Sequence, residues 1–260
     1  MPRLASAVFV HAILLISLRP AVSSETPVAR TQVLLPLDQI LQRMQQHEAK
    51  QSRELKQYEA VRHYQVQYKG LGTSLAAKMD VEVNFDNVSG KSFRIVSQSG
   101  SRLLRDKVLK RAVDSEEEAS KDKESTALST ANYHFQLAGN EQLGGRPTYI
   151  LQVDALKKSK FLYRGRVWVD AVDYAVAKIE VEPAKNPSFW ISSTKIENIN
   201  SATDGIWLPQ KNRSESKIRI GGTAVLTIDY GTYHVVLAGQ PQTGANRSLQ
   251  RRSKVVKAAS

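Results

Sequence analysis

Two aspartates at a bend are the residues of this sequence whose type and spacing come nearest to catalysis. Asp170 and Asp173 lie three residues apart in the stretch YRGRVWVDAVDYAVAKIEVEP, residues 163–183. A pair of carboxylates can act as a general acid and a base or nucleophile. Aspartate is also common at bends, because its side chain accepts hydrogen bonds from the nearby backbone. Both aspartates stand where two strand patterns meet, so we predict that they form the turn.

A histidine beside two tyrosines is the second group that could move protons. His63 precedes Tyr64 and Tyr68, but alternation along a strand places His63 on the opposite side from both tyrosines. The five histidines of the chain show no metal-ligand spacing such as H-E-x-x-H, and no G-x-S-x-G, P-loop or G-x-G-x-x-G motif occurs. We therefore predict no catalytic residue, no metal and no cofactor, and a protein that is not an enzyme.

The stretch that holds the aspartates predicts two antiparallel strands with one apolar and one charged face. Successive side chains of a strand point to opposite sides. The apolar side carries Val167, Val169, Ala175, Ala177, Ile179 and Val181. The other side carries Arg164, Arg166, Trp168, Lys178, Glu180 and Glu182. This arrangement is typical of a sheet that water reaches on one face only.

The N-terminus indicates export. Residues 1–24 begin with MPR, continue through a mostly apolar run and end in the small residues AVSS. This order predicts a secretory signal peptide that is cleaved near Ser23 or Ser24, with a retained anchor as the alternative. We expect a periplasmic or secreted protein. The chain contains no Cys, so neither a disulfide nor a cysteine-linked lipid holds it, and its stability must come from a core.

The net charge of +12 is partly concentrated at the C-terminus. No acidic residue follows Asp229, whereas basic residues recur from Arg247 to Lys257. We predict a basic, disordered tail at 236–260, which is either simply solvated or contacts anionic membrane lipid. Nucleic acid is not expected as a partner, because the protein is exported and its basic residues form no recognised nucleic-acid motif.

Two stretches show the spacing of amphipathic helices. The first covers residues 36–60, after a lead at 25–35, and carries Leu37, Ile40, Leu41, Met44, Leu55 and Tyr58 at that spacing. The second covers residues 101–113 and carries Leu104, Val108 and Ala112 on one side, with Leu109 and Val113 beside them. A charged, Ser/Thr-rich stretch follows at 114–131, and we expect its acidic cluster, 116–118, to be a solvated face.

The rest of the chain alternates as strands do. Three strands around Tyr64–Tyr68, Met79–Phe85 and Phe93–Ile95 precede the second helix. The strands after it are expected at 132–138, 147–154, 163–170, 175–182, 189–199, 206–213 and 223–235. About ten strands against two helices predict an α+β fold, in which a long antiparallel sheet curls and the helices cover its concave side.

The apolar face of this sheet is rich in aromatic residues. Its concave side is either filled by helices and side chains or holds an apolar ligand. The residues expected to line such a cavity are Tyr64, Val83, Phe85, Phe93, Leu104, Val108, Phe135, Tyr149, Leu151, Val167, Ile179, Leu226 and Tyr230. We expect helix 101–113 to cross the mouth with Leu104, Val108 and Ala112 facing inward, and to act as a mobile lid together with the charged stretch.

The three tryptophans have different expected places. Trp168 falls on the charged face of its strand, where we expect cation–π packing with Arg164 and Arg166 on the outer surface. Trp190 and Trp207 stand at strand starts, near a rim of the sheet. Each of them either closes a core or faces a ligand mouth.

Several strand sequences together resemble exported bacterial proteins of the outer-membrane lipoprotein-sorting superfamily, which have a LolA/LolB-like fold. They are NYHFQL, GRPTYILQV, the 163–183 stretch, SFWI, and GIWLPQ followed by GGTAVLTIDYGTYHV, and the resemblance covers residues 36–235. It implies a half-barrel of about eleven antiparallel strands with helices on its concave side. Members of this superfamily use that shape to hold lipid or the acyl chains of lipoproteins.

The resemblance carries over no individual functional residue. It implies an exported lipid-binding or lipoprotein-binding carrier that holds acyl chains in an apolar half-barrel, with lipid or a lipidated protein as its partner. The alternative is an envelope module with the same fold that binds a protein partner or senses stress.

Overall fold

The structure is a computed structural model that describes residues 35–70 and 72–239. Its antiparallel sheet and its few helices form an α+β fold, as the sequence predicts. The predicted signal peptide, 1–24, lies outside the described residues, as do nearly all of the lead and most of the tail. Among the described helices, none combines the length and the apolar character that a membrane span requires.

Helix α1 covers Leu37–Glu54 and is shorter than predicted. Pro36 stands at its start, where its carbonyl accepts the first helical hydrogen bonds, and the helix buries Ile40. The prediction that Leu55 and Tyr58 continue the helix is wrong, because both belong to the first strand. A β-bulge between Leu55 and Gln57 turns residues three apart to one face, so the bulged strand imitates helical spacing.

Eleven strands form one sheet. They are β1 Leu55–Gly70, β2 Thr73–Asp86, β3 Gly90–Gly100, β4 Tyr133–Leu143, β5 Arg146–Ala155, β6 Tyr163–Asp170, β7 Val176–Pro183, β8 Ile191–Thr203, β9 Ile206–Ile218, β10 Thr223–Tyr230 and β11 His234–Leu237. The order is β3-β2-β1-β10-β9-β8-β7-β6-β5-β4, with β11 paired to the start of β1. Within the described residues, β3 and β4 are the two edges of this order.

The predicted strand at 223–235 is two strands, β10 and β11, both of which pair with β1. The chain breaks at Gly231, whose amide donates to the carbonyl of Val61. A Cβ at Gly231 would stand 2.7 Å from that same carbonyl oxygen, so the close approach requires glycine. Strands β8 and β9 also run several residues past their predicted ends, to Thr203 and Ile218.

The second helix is longer than predicted and is not regular. It consists of α2, Arg102–Leu104, a π-helical turn, Arg105–Leu109, and α3, Lys110–Lys121, which we call together the composite helix. A short helix, α4, Lys123–Thr126, follows it. The charged stretch that was expected after residue 113 is therefore largely helical.

The π-helical turn changes which side chains face the sheet. Leu104, Leu109 and Val113 are buried, whereas Val108 and Ala112 are only partly buried. A π turn inserts one residue, so the spacing from Leu104 to the next buried residue is five instead of four. Leu104 faces inward as predicted, whereas Val108 and Ala112 pack at the edge of the core, and Leu109 and Val113 beside them are the more deeply buried residues.

The β6–β7 hairpin has the apolar and charged faces that the sequence predicts, and a β-bulge between Trp168 and Val169 shifts its register near the bend. Val167 stands opposite Ile179, and Arg166 stands opposite Glu180. Val167 and Val169 are buried on the concave side. On the convex side, Arg166 donates to Glu180 at 2.9 Å and Lys178 lies 2.7 Å from the same carboxylate. The sheet therefore has one charged and one apolar face.

Candidate functional site

The concave face of the sheet is covered in two places, each by a different helix. The composite helix covers a core built on β1 and β2, which we call the β1–β2 core. Helix α1 covers a core built on β5 and β6 with the start of β4, which we call the β5–β6 core. The residues expected to line one cavity are divided between these two cores.

The β1–β2 core contains Tyr64, Val83 and Leu104 as buried members, with Phe85, Phe93, Val108, Leu226 and Tyr230 at its edge. The β5–β6 core contains Phe135, Leu151 and Val167 as buried members, with Tyr149 and Ile179 at its edge. Most of these side chains contact one another, so in this structure both places are packed. Their contact with a ligand stays a prediction.

A buried arginine lies inside the β1–β2 core. The side chain of Arg62 is only 1% exposed, and its Nη1 donates to Oε2 of Glu116 on the composite helix over 2.5 Å. Lys91 on β3 donates to the other carboxylate oxygen at 2.9 Å. The guanidinium also lies over the ring of Tyr230, 4.7 Å from its centre. Two strands and the composite helix are thus joined by one ion cluster.

Glu116 corrects the expectation of a fully solvated acidic cluster. Its neighbours at 117 and 118 are exposed, as predicted, but Glu116 is mostly buried. Burial alone would raise the pKa of this carboxyl, but the charges of Lys91 and Arg62 outweigh that effect and lower the pKa. Glu116 therefore stays ionised on the side of the composite helix that faces the sheet, where it holds Arg62 in place.

Two polar atoms in this core have no hydrogen-bond partner among the described residues, the Nε of Arg62 and the hydroxyl of Tyr64. Burial raises the pKa of Tyr64, so its hydroxyl stays protonated. His63 lies on the other face and bonds Asp80 at 2.8 Å. The histidine and the tyrosine therefore do not meet, as the strand alternation predicts.

The two aspartates at the bend make the hydrogen bonds that a turn requires. Oδ1 of the buried Asp170 accepts from the amides of Val172 and Asp173 at 2.9 and 2.7 Å. Arg146 donates to both oxygens of Asp170 and, at 2.8 Å, to Oδ2 of Asp173. Burial alone would raise the pKa of Asp170, but the hydrogen bonds from Arg146 and the backbone lower it. Both carboxylates are thus occupied in holding the bend.

A groove of about 590 Å³ lies between α1 and the concave face of the sheet. Its apolar lining consists of Leu41, Met44, Leu128, Phe135, Ala175, Val176 and Trp207. Its polar lining includes Gln42, Gln45, His47, Glu48, Gln51 and Asn200. The Nε2 of His47 is buried and has no hydrogen-bond partner in the described part of the chain. The volume lies within the range of about 300–1,000 Å³ that is usual for small-molecule pockets.

Helix α1 is held over this groove by a few polar contacts. Gln51 donates to the carbonyl of Trp207 at 3.2 Å and accepts from its amide at 2.8 Å. Arg43 donates to the hydroxyl of Tyr174 and lies over its ring. Ile40 is the one fully buried residue of the helix. The composite helix, by comparison, has three buried apolar residues and the Glu116 ion cluster.

The tryptophans show three different outcomes. Trp168 lies between Arg166 and Lys178, each 5.1 Å from its ring centre, which confirms the cation–π packing with Arg166. The expectation of an outer-surface position is wrong, because these side chains and Glu141 leave Trp168 only 3% exposed. Trp207 faces the groove, whereas Trp190 is exposed and lines neither core.

A second depression, of about 490 Å³, lies on the charged convex face. Its wall includes Arg164, Glu182 and Glu197. Arg164 donates to Glu182 at 3.4 Å, and Lys178 lies 3.1 Å from Glu197. These charges neutralise one another, so the groove beneath α1 is the better candidate site.

Sequence reasoning missed Arg62, Glu116 and most of the groove. Arg62 could have been found, since it interrupts the apolar side of β1 between Ala60 and Tyr64. Of the predicted cavity residues, the groove contains Phe135. Its other walls come from α1 and from strand ends. The sequence does not show that these elements pack together, because they are far apart along the chain.

No protein-family model and no curated protein matches this sequence. Solved structures are similar to it, among them an outer-membrane lipoprotein-sorting protein domain from Vibrio parahaemolyticus. That domain is 11% identical, the match covers 82% of this chain and 98% of that chain, and the TM-score is 0.41. A DUF1329 family protein from Desulfovibrio piger is 12% identical, with 80% and 96% covered and a TM-score of 0.40.

A LolA superfamily protein from Nitrosomonas europaea is also similar to this chain. It is 12% identical, 80% of this chain and 96% of that chain are covered, and the TM-score is 0.34. At these identities and scores the likeness concerns the fold alone and says nothing about function.

Proposed function

We propose that this protein is an exported carrier that binds the acyl chain of a lipid or of a lipidated protein, without covalent catalysis. The groove between α1 and the sheet is the observation that carries the proposal. Its floor is made of aliphatic, thioether and aromatic side chains, which favour a hydrocarbon chain over a polar ligand. Export is inferred from the N-terminal sequence, residues 1–24.

The polar lining of the groove suits the other end of such a ligand. His47 has a buried ring nitrogen with no hydrogen-bond partner among the residues that the structure describes, and Gln51 and Asn200 stand on the same lining. A buried polar atom without a hydrogen bond is unfavourable. A lipid carboxyl or ester group that binds His47 would remove this cost while its chain occupies the apolar floor.

Helix α1 is the element that we expect to open. It is held by one fully buried residue, by partly buried Leu37, Leu41 and Met44, and by polar contacts from Gln51 and Arg43, whereas the composite helix has three buried apolar residues and the ion pair of Glu116. Segments with few buried contacts open most easily. The predicted lid at 101–113 is therefore less suited to move than α1. Displacement of α1 would uncover the β5–β6 core, including Phe135 and Val167.

Ligand uptake tests this function. Protein purified without detergent is examined by native mass spectrometry, and fluorescent fatty-acid uptake is then titrated. We expect a bound acyl-chain ligand or saturable uptake. Met44→Asp places a charge in the apolar groove and should weaken uptake at least tenfold, whereas Gln46→Asp on the outer face of α1 should not change it. A clean apo mass together with no uptake would overturn the proposal.

A second candidate function, the binding of an envelope protein, is favoured by one edge of the sheet. Strand β3 ends the sheet within the described residues, and its last residues, 95–100, carry no charge. Ile95 and Val96 on this strand are exposed. An exposed, uncharged edge can accept a strand from a partner. A pull-down from envelope extract that returns one stoichiometric protein, lost when Val96 is changed to Lys, would support this function.

A further inference from the structure

One end of the sheet presents a basic and aromatic rim. Because all neighbouring strands are antiparallel, β5, β7 and β9 end on the same side, where β6, β8 and β10 begin. Three of the connections on that side are residues 156–162, 184–190 and 219–222. They join six consecutive strands, and we call them the rim.

Large apolar side chains of the rim are left in solvent. Phe189 is 77% exposed, Trp190 58% and Ile220 61%. Leu156 on the neighbouring connection is also exposed. Such side chains normally find a core, and a group of them at one end of a protein indicates a surface that contacts something apolar.

The aromatic pair is held in its exposed position by a defined local structure. The rings of Phe189 and Trp190 meet edge to face, with 5.6 Å between their centres. The amide of Arg219 donates to the carbonyl of Trp190 at 2.8 Å, which ties two connections together. The guanidinium of Arg219 lies over Phe189, 5.4 Å from the ring centre. The pair is thus an ordered part of the rim.

The rim connections themselves carry charge of one sign, and one carboxylate reaches them from the composite helix, that of Glu118, 2.8 Å from Lys160. The three connections contain basic residues and no acidic residue. The exposed basic side chains here and at the adjoining strand ends, none in a salt bridge within the described residues, are Lys69, Lys157, Lys158, Lys185, Lys217 and Arg219. Two carboxylates lie near this end, Asp154 and Glu182, each one residue before the last residue of its strand, β5 or β7. Both are paired in the sheet with Arg164 of β6, which lies between them.

The opposite end of the sheet differs from the rim. Its connections at 144–145, 171–175 and 204–205 contain Asp173 and Asp204 and no basic residue, but Arg146 at the start of β5 pairs with Asp173. The basic side chains of the rim that form no salt bridge within the described residues therefore lie at the aromatic end of the sheet.

We propose that the rim docks this protein on an anionic lipid bilayer, with Phe189, Trp190 and Ile220 entering the headgroup region. Tryptophan and phenylalanine suit that depth, because their rings are apolar and tryptophan also donates a hydrogen bond. Lysine and arginine around them are attracted by anionic headgroups. The rim lies outside the groove lining, so this docking does not depend on acyl-chain binding.

Vesicle binding by the full chain tests the proposal. Sedimentation with phosphatidylglycerol-containing vesicles is compared with sedimentation with pure phosphatidylcholine vesicles at low and high salt. We expect binding to the anionic vesicles alone, and its loss at high salt, where charges are screened. The emission of Trp190 should shift to the blue on binding, and this shift should be absent in Trp190→Phe.

Matched variants locate the contact. Lys185→Gln with Arg219→Gln should lower the partition coefficient roughly 25-fold, since each basic residue near an anionic surface contributes a factor of about five. Lys50→Gln with Arg53→Gln on α1 removes the same charge from another exposed surface and should change partitioning by less than about twofold. Both pairs keep the basic C-terminal sequence, so its contribution cancels.

The apolar side chains are tested in the same way. Phe189→Ser with Trp190→Ser should weaken binding at least tenfold, whereas Val88→Ser with Val172→Ser, two exposed residues at the opposite end, should not. Equal losses in rim and control variants, or no vesicle binding by the full chain, would overturn the proposal. So would rim-dependent binding of soluble polyglutamate without vesicle binding, which would indicate an acidic protein partner instead.

Discussion

The ion cluster beneath the composite helix predicts an unequal response to the loss of its two main partners. Glu116→Gln keeps the shape of the side chain but leaves Arg62 charged at 1% exposure. The removal of one partner from a buried pair costs about 3–5 kcal/mol, because the remaining charge is neither solvated nor paired. We therefore expect Glu116→Gln to lower the free energy of unfolding by about 3 kcal/mol or more.

The reverse substitution should cost less. In Arg62→Met, the carboxylate of Glu116 keeps Lys91 at 2.9 Å, and 27% of its side chain stays exposed to water. We expect a loss of about 1.5–3 kcal/mol in the free energy of unfolding, near that of a charged hydrogen bond. The double variant Arg62→Met with Glu116→Leu should lie within about 1 kcal/mol of the wild type, because neither charge is then buried alone.

Urea unfolding of the single and double variants measures these differences. Glu117→Gln is the control, since Glu117 is exposed and its pairing with Lys121 at 3.1 Å should be worth about 0.5 kcal/mol or less. The pKa of Glu116 is lowered in the folded protein, so its contribution is complete above its ordinary pKa and is lost as the pH falls through the folded value. The difference between wild type and Glu116→Gln should therefore shrink in acid.

Two results would refute this reasoning. If Glu116→Gln unfolds at the urea concentration of the wild type, the carboxylate does not compensate Arg62 and the composite helix is not held by it. If Arg62→Met lowers the free energy of unfolding more than Glu116→Gln does, the arginine stabilises the fold mainly through its packing on Tyr230. The burial of its charge is then not the dominant effect.

Two further predictions concern carboxylates at bends. Asp170→Asn should lower the free energy of unfolding by about 1.5–3 kcal/mol, because the charged bonds from Arg146 are lost; acyl-chain uptake should not change, and a loss of uptake at full stability would contradict the turn role. Hydrogen bonds from Gln57 and from the amides of Ser89 and Val88 lower the pKa of Asp86 to about 2. Its contribution to the free energy of unfolding should therefore be present above its ordinary pKa and be lost as the pH falls towards 2. Asp86→Asn should remove this part of the acid sensitivity, as measured by unfolding followed by circular dichroism.

The sequence by itself determined the faces of the strands. Period-two alternation is a local property of an extended backbone, so the shared face of Val167 and Ile179 and the turn at Asp170 could both be predicted from residues 163–183. The fold class followed from the number of such segments. Where the backbone departs from its regular period, at the bulge after Leu55 and in the π-helical turn at 105–109, the same reasoning failed by one residue or more.

Only the tertiary structure decided which of these faces meet. The groove joins α1 to residues near 130, 175 and 207, and the ion cluster joins Arg62 to Glu116, 54 residues away. The rim depends on strand order, since Trp190 and Arg219 are brought together by the pairing of β8 with β9. Spacing along the chain fixes which residues share an element, but contact between elements depends on how the sheet curls and where each helix packs.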